Sequence, residues 1–298
     1  MKQILFRGAA TALVTPMQPD GSLDLETLSR LTEWQIQSSI SALVPCGTTG
    51  EAATLTDEER FTVIQTVAKT AAGRVPVIAG AGCNDTARAE QNCLAAAAAG
   101  ADALLLVTPY YNKCTPKGLQ SHFARLASAT PLPVILYNVP SRTGVTIDME
   151  SRRKLSKVDN IIGLKEASTD FSLIHQHLLE LGDTLPLYSG NDDLTLPLMA
   201  MGAAGCISVL GNLLPHSAAT LCNALLQDDL PAARQLHYAM LPLMKALFCE
   251  VNPIPVKAAM SLVGFPCGSC RMPLSEIEPQ HFALLKNQIE SAKQHELC

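Results

Sequence analysis

Ile161-Ile162-Gly163-Leu164-Lys165-Glu166-Ala167 is a short apolar run that ends on a lysine. Such a run between turn signals is the pattern of a strand covered on both faces, as in a parallel sheet. Lysine is rarely buried without a partner or a purpose, because desolvating an ammonium costs several kcal/mol. Loss of the proton removes that cost and leaves a nucleophilic amine, which attacks carbonyls and forms Schiff bases. The same residues also suit a lysine just past the strand end whose head snorkels to water. This stretch alone leaves both open.

The flanking sequence repeats the pattern. Val134 to Asn138 precedes it, and Leu185 to Ser189 and Gly205 to Val209 follow it. Towards the N-terminus lie Ala9 to Thr15, Ser41 to Pro45, Val75 to Gly80 and Ala103 to Val107. Helical spacing separates them: Asp24 to Gln37, an alanine-rich segment from Asp85 or Thr86 to Ala99, and Leu119 to Ala129. Thr56 with Glu59 reads as a capping box opening another helix. About eight strands alternating with helices predict parallel strands with crossover connections, closed into a (β/α)8 TIM barrel. An open doubly wound sheet is the structural alternative, but no G-x-G-x-x-G follows the first strand. The barrel is expected over residues 1–213. Beyond Leu213 the strand signals stop, and residues 214–298 read as a C-terminal helical extension. Pro231, Pro242, Pro253, Pro255 and Pro273 punctuate it.

The 298 residues, 48% hydrophobic and 16% charged, suffice for one large α/β domain. A net charge of -5 without a long basic run argues against nucleic acid as a partner. No apolar stretch approaches the ~18 residues of a membrane span. Met1 to Arg7 holds no long apolar core of a signal peptide, so a cytoplasmic location is expected. The ten cysteines are scattered. Cys267-Gly268-Ser269-Cys270 lacks a second pair or a histidine cluster, so reduced packing cysteines and no metal are expected.

In such a barrel the active site lies at the C-terminal ends of the strands. Gly47-Thr48-Thr49-Gly50-Glu51, Tyr110-Tyr111, Tyr137, Arg142, Lys165 and Gly190-Asn191-Asp192-Asp193 all fall there. Any one tyrosine at a rim is ordinary packing; the convergence of lysine, hydroxyls, arginine and glycine-rich loops is not. Schiff-base formation moves protons both ways, a task for Tyr137 with Thr48 along a hydroxyl chain. The Gly47–Gly50 amides suit a carboxylate, and the Arg142 fork suits a second. A keto acid and another acid are the substrate class this suggests.

With Tyr137-Asn138-Val139-Pro140-Ser141-Arg142-Thr143-Gly144, Lys165-Glu166-Ala167 and Asn252-Pro253-Ile254-Pro255-Val256-Lys257 added, the whole chain resembles the 4-hydroxy-tetrahydrodipicolinate (dihydrodipicolinate) synthase family of pyruvate-dependent class I aldolases. The resemblance implies that Lys165 condenses with pyruvate and that the enamine attacks L-aspartate 4-semialdehyde. Thr48, Tyr137 and Tyr111 match the family's proton relay, with Tyr111 reaching a neighbouring subunit in a homodimer or homotetramer. Thr49 matches the pyruvate carboxylate contact and Arg142 that of the semialdehyde. Gly190 and Ile207 match backbone contacts lining the pocket. No cofactor is implied beyond covalently bound pyruvate. Family members inhibited by lysine hold it with residues matched here by Tyr110 and Asn84, but Arg88 stands where they have glutamate and Arg60 where they have histidine. Weak or absent inhibition by lysine is therefore expected. A sister aldolase acting on a sugar acid, and a non-catalytic keto-acid-binding paralogue, are the rival functions; Arg142 speaks against the first and the full set of catalytic residues against the second.

Overall fold

The computed structural model describes residues 4–295 and 297. Met1 to Gln3 of the N-terminal segment, and Glu296 and Cys298 of the extension, lie outside them. The chain opens with β1 (Gly8–Ala12), α1 (Leu25–Gln37), β2 (Ala42–Val44), α2 (Asp57–Ala71), β3 (Ile78–Gly80) and α3 (Thr86–Ala98). Next come β4 (Ala103–Val107), α4 (Pro116–Ser128), β5 (Val134–Asn138), the single turn α5 (Pro140–Thr143), α6 (Met149–Leu155) and β6 (Ile161–Glu166). The last strand–helix units are α7 (Phe171–Leu181), β7 (Leu187–Ser189), α8 (Thr195–Ala200), β8 (Gly205–Ser208) and α9 (Pro215–Leu226). Then follow α10 (Leu230–Ala246), α11 (Ile254–Ala259) and α12 (Pro279–Gln294).

All eight strands are parallel, paired in the order β2-β1-β8-β7-β6-β5-β4-β3. A parallel bridge between Leu43 and Val77 joins the two ends. The sheet therefore comes round as a (β/α)8 barrel rather than an open doubly wound sheet. Helix starts follow capping chemistry: Asp24 accepts from the Thr27 amide at 2.9 Å, and Thr56 with Glu59 forms the capping box. Asp148 caps α6, accepting from the Ser151 amide at 2.7 Å.

Strand residues alternate between two apolar clusters. Leu104, Leu106, Leu136 and Leu164 face the helices, whereas Leu105, Ile135, Tyr137 and Ile207 fill the barrel interior. Between β5 and β6 the register shifts, with Val134 opposite Ile161 but Ile135 opposite Gly163. Beyond this irregularity Tyr137 and Lys165 are direct partners. Lys165 is thereby aimed at the upper barrel interior with Tyr137 beside it.

α9 packs on β1 and α8 and completes the eighth strand–helix unit, so a division at Leu213 runs through that unit. α10 and α12 then pack on one another. Pro242 does not end a helix, as its place among the punctuating prolines suggests, but lies within α10. Proline has no amide hydrogen to donate to the Tyr238 carbonyl one turn earlier, and Tyr238 itself is 62% exposed. No helix among the described residues is long and apolar enough to cross a membrane. Cys267 and Cys270 are pushed up to about 12 chiefly by burial, the condition of packing thiols.

Candidate active site

A cavity of about 560 Å³ opens at the C-terminal ends of the strands. Its wall includes Thr48, Thr49, Tyr137, Arg142, Lys165 and Gly190. Six of the eight residues expected at the site therefore meet in one place. Ile207 is fully buried in the inner barrel cluster, and β8 reaches the cavity through Val209 just beyond its end. Tyr111 stays away from the cavity of its own chain. It is 92% exposed, with φ at 72°.

Lys165 is only 6% exposed, and its Nζ lies 4.3 Å from the centroid of the Tyr137 ring. No carboxylate among the described residues forms an ion pair with it. A ring face offers a cation weak electrostatic support without blocking the amine. On the other side stands Gly190, where a Cβ would come within 3.1 Å of Lys165 Cε and 2.8 Å of Ala167 Cβ. Any larger residue there would crowd Ala167, Glu166 O and the lysine side chain.

The residues around the lysine are fixed by buried polar contacts. Glu166 accepts from Arg152 Nη2 at 2.5 Å, from Asn138 Nδ2 at 2.8 Å and from the Ser168 amide at 2.8 Å. Burial pulls the Arg152 guanidinium down and Glu166 opposes that pull. Asp192, buried behind the cavity, accepts from Ser208 Oγ at 2.5 Å and from the amides of Val209 and Leu210 at 3.0 and 2.9 Å. Burial raises its carboxyl, against those hydrogen bonds and the charge of Lys165.

The loop after β2 turns back on itself. The Gly50 amide donates to Gly47 O and the Glu51 amide to Thr48 O, so the Thr48 and Thr49 amides have no main-chain acceptor among the described residues. Glu51 occupies the left-handed region at φ 55°. Its carboxylate is held by Lys257 Nζ at 2.6 Å and the Arg271 amide at 2.8 Å. A buried ion pair from the C-terminal extension thus fixes a backbone conformation that a non-glycine residue adopts only under constraint.

The extension also enters the cavity itself. Asn252 donates from Nδ2 to Thr49 Oγ1 at 3.1 Å, and its main-chain oxygen accepts from Arg142 Nη2 at 3.1 Å. Phe248 completes that wall. The N-P-I-P-V-K segment was visible in the sequence, but nothing in its spacing linked it to residues some two hundred positions away. Only the folded chain brings Asn252 between Thr49 and Arg142.

These observations agree with comparison against known proteins. Residues 5–292 match the model of the Dihydrodipicolinate synthetase family. A 4-hydroxy-tetrahydrodipicolinate synthase of Exiguobacterium sibiricum is 48% identical over 283 residues, 95% of this chain and 97% of that protein. One of Thermoanaerobacter sp. is 45% identical over 284 residues, covering 95% of each. The crystal structure of a chloride-inhibited dihydrodipicolinate synthase from Acinetobacter baumannii, complexed with pyruvate, superposes with a TM-score of 0.94 at 40% identity, covering 96% of this chain and 99% of that one. The chain belongs to the dihydrodipicolinate synthetase family.

Proposed function

We propose that the protein condenses pyruvate with L-aspartate 4-semialdehyde to give 4-hydroxy-tetrahydrodipicolinate, a lyase-class reaction serving diaminopimelate and lysine synthesis. The observation that carries this is Lys165, buried beside Tyr137 in an open cavity and ion-paired with no carboxylate among the described residues. The amine of Lys165 adds to the pyruvate carbonyl, and loss of water from the carbinolamine gives an iminium. A proton leaves the methyl carbon, and the enamine forms a carbon–carbon bond to the aldehyde. The amino group of the adduct then attacks the iminium carbon, closes the ring and releases Lys165. One water is lost overall, and no cofactor or metal is required.

Tyr137 and Thr48 carry protons to and from the carbinolamine oxygen. Thr49 and the free amides of its loop receive the pyruvate carboxylate, and the Arg142 fork receives that of the semialdehyde. Gly190 keeps the space that Lys165 needs, and Ile207 backs the pocket from β8. The exposed Tyr111 completes the relay of a second copy in a homodimer, itself free to pair into a tetramer. The reaction is placed in the cytoplasm. An assay offering pyruvate with aspartate semialdehyde, and separately sialic acid, tests the assignment. Turnover of the first pair alone is expected; cleavage of the sugar acid in preference would overturn it.

A further inference from the structure

Glu51 and Lys257 form a buried ion pair that the proposed reaction does not use. Lys257 Nζ lies 2.6 Å from Glu51 Oε1, and the two side chains are 2% and 1% exposed. Neither residue lines the substrate cavity. Lys257 Nζ also donates to Ser269 O at 2.9 Å, and Glu51 Oε2 accepts from the Arg271 amide at 2.8 Å. The Arg271 guanidinium is anchored in turn on Glu59, Gly21 O and Thr54 O.

Replacing a buried ion pair by apolar residues is often neutral or stabilising, so stability alone does not account for this one. Backbone conformation does. Glu51 sits at φ 55°, in the left-handed region that a residue with a Cβ populates sparsely. Its amide donates to Thr48 O at 3.1 Å, so this conformation closes the turn that leaves the Thr48 and Thr49 amides free. Asn252, at the start of the segment that carries Lys257, holds the same turn through Thr49 Oγ1 at 3.1 Å. The C-terminal extension therefore grips the turn at two points.

We propose that Lys257 is a positioning residue for the first substrate. Through Glu51 it holds the Gly47–Glu51 turn in the shape that receives the pyruvate carboxylate. The inference rests on the reading of pyruvate as the substrate that condenses with Lys165. No atom of Lys257 touches substrate, and the carboxylate site at Arg142 lies outside its reach, so the effect falls on pyruvate alone.

Lys257→Met by itself strands the Glu51 carboxylate in the interior and is the variant most prone to unfold. The test therefore uses two paired variants, each lacking both charges. Glu51→Gln with Lys257→Met keeps a Cβ at the left-handed position. Glu51→Gly with Lys257→Met does not, and glycine adopts that φ freely. For each, the pyruvate concentration at half-maximal borohydride trapping and KM for the semialdehyde are measured, with thermal melting to confirm folding.

In the glutamine pair the half-saturating pyruvate concentration should rise about tenfold or more, and KM for the semialdehyde by less than about threefold. The glycine pair should return pyruvate to within about threefold of the native protein. A purely structural role would move the melting temperature of both pairs and leave the pyruvate value alone. Should the glutamine pair not fold, Glu51→Gln alone weakens the clamp by removing one charge, and a rise of about threefold is expected. Native-like pyruvate saturation in the glutamine variant, an equal rise in both pairs, or an equal rise for both substrates would each overturn the proposal. No trapping in the native protein would overturn the proposed reaction, and this inference with it.

Discussion

Lys165 and Tyr137 are opposed residues on neighbouring strands, and the lysine Nζ stands 4.3 Å from the centre of the tyrosine ring. The irregularity at Val134 and Ile135 sets this register, so the contact is written into the barrel rather than into a mobile loop. An iminium is a cation. The ring face therefore suits the cationic iminium that would form when Lys165 condenses with a carbonyl.

Tyr137→Phe keeps the ring and removes only the hydroxyl. Its melting temperature should stay close to that of the parent protein, and kcat should fall about 100-fold, the scale of a general acid–base group. Steady-state kinetics with both substrates decides this. An unchanged kcat would move the proton relay to another residue.

Arg142→Ala should raise KM for the semialdehyde far more than KM for pyruvate. The guanidinium is bonded to Asn252 O, while the loop amides beside Thr49, proposed above to take the pyruvate carboxylate, belong to a different element. Equal increases in both constants would argue against two carboxylate subsites.

The legibility of this protein follows the range of the interactions involved. Lys165, Tyr137 and Thr48 could be placed because strand alternation and loop position are local properties that survive into the barrel. α6 was not singled out. Its run Met149 to Leu155 is rich in charge, and its clearest signal was the single cap Asp148. Asn252 and Lys257 stood in a visible motif, but their partners Thr49 and Glu51 are brought to them only by the tertiary fold. Ile207 was expected to line the pocket through its backbone, and alternation sends its side chain into the inner core beneath the cavity. Arg60, Arg88 and Tyr110 do share one cavity wall, which Asn84 does not join.

That wall bears on inhibition by lysine. An incoming lysine ammonium would meet Arg60 uncompensated, and like charges ~4 Å apart cost about 4 kcal/mol at an effective dielectric of 20. That exceeds the ~1–3 kcal/mol of a usual allosteric coupling. Arg88 contributes less, because Asp57 already pairs with it. L-lysine at millimolar levels should leave turnover nearly unchanged. Half-inhibition below about 1 mM, a strong coupling by that measure, would show that the arginines do not close the site to it.

His177 gives a dependence of stability on pH. It is fully buried, and its Nε2 donates to Leu185 O at 2.8 Å. Burial, with the Arg152 charge, lowers its folded-state value from 6.5 to about 4. The neutral ring is favoured in the folded chain, so its contribution is present above pH 6.5 and is lost as pH falls towards 4. Between pH 7 and 5 the loss should reach roughly 2 kcal/mol. His177→Gln should flatten that part of the stability profile in urea unfolding. An equal slope in both proteins would place the dependence elsewhere.

The most direct measurement is to trap the pyruvate adduct with borohydride and map it by peptide mass spectrometry. A single modified peptide carrying Lys165 is expected, with no trapping in Lys165→Ala. Full trapping in that variant, or a label on Lys257 or any other lysine, would contradict the assignment of Lys165 as the Schiff-base residue.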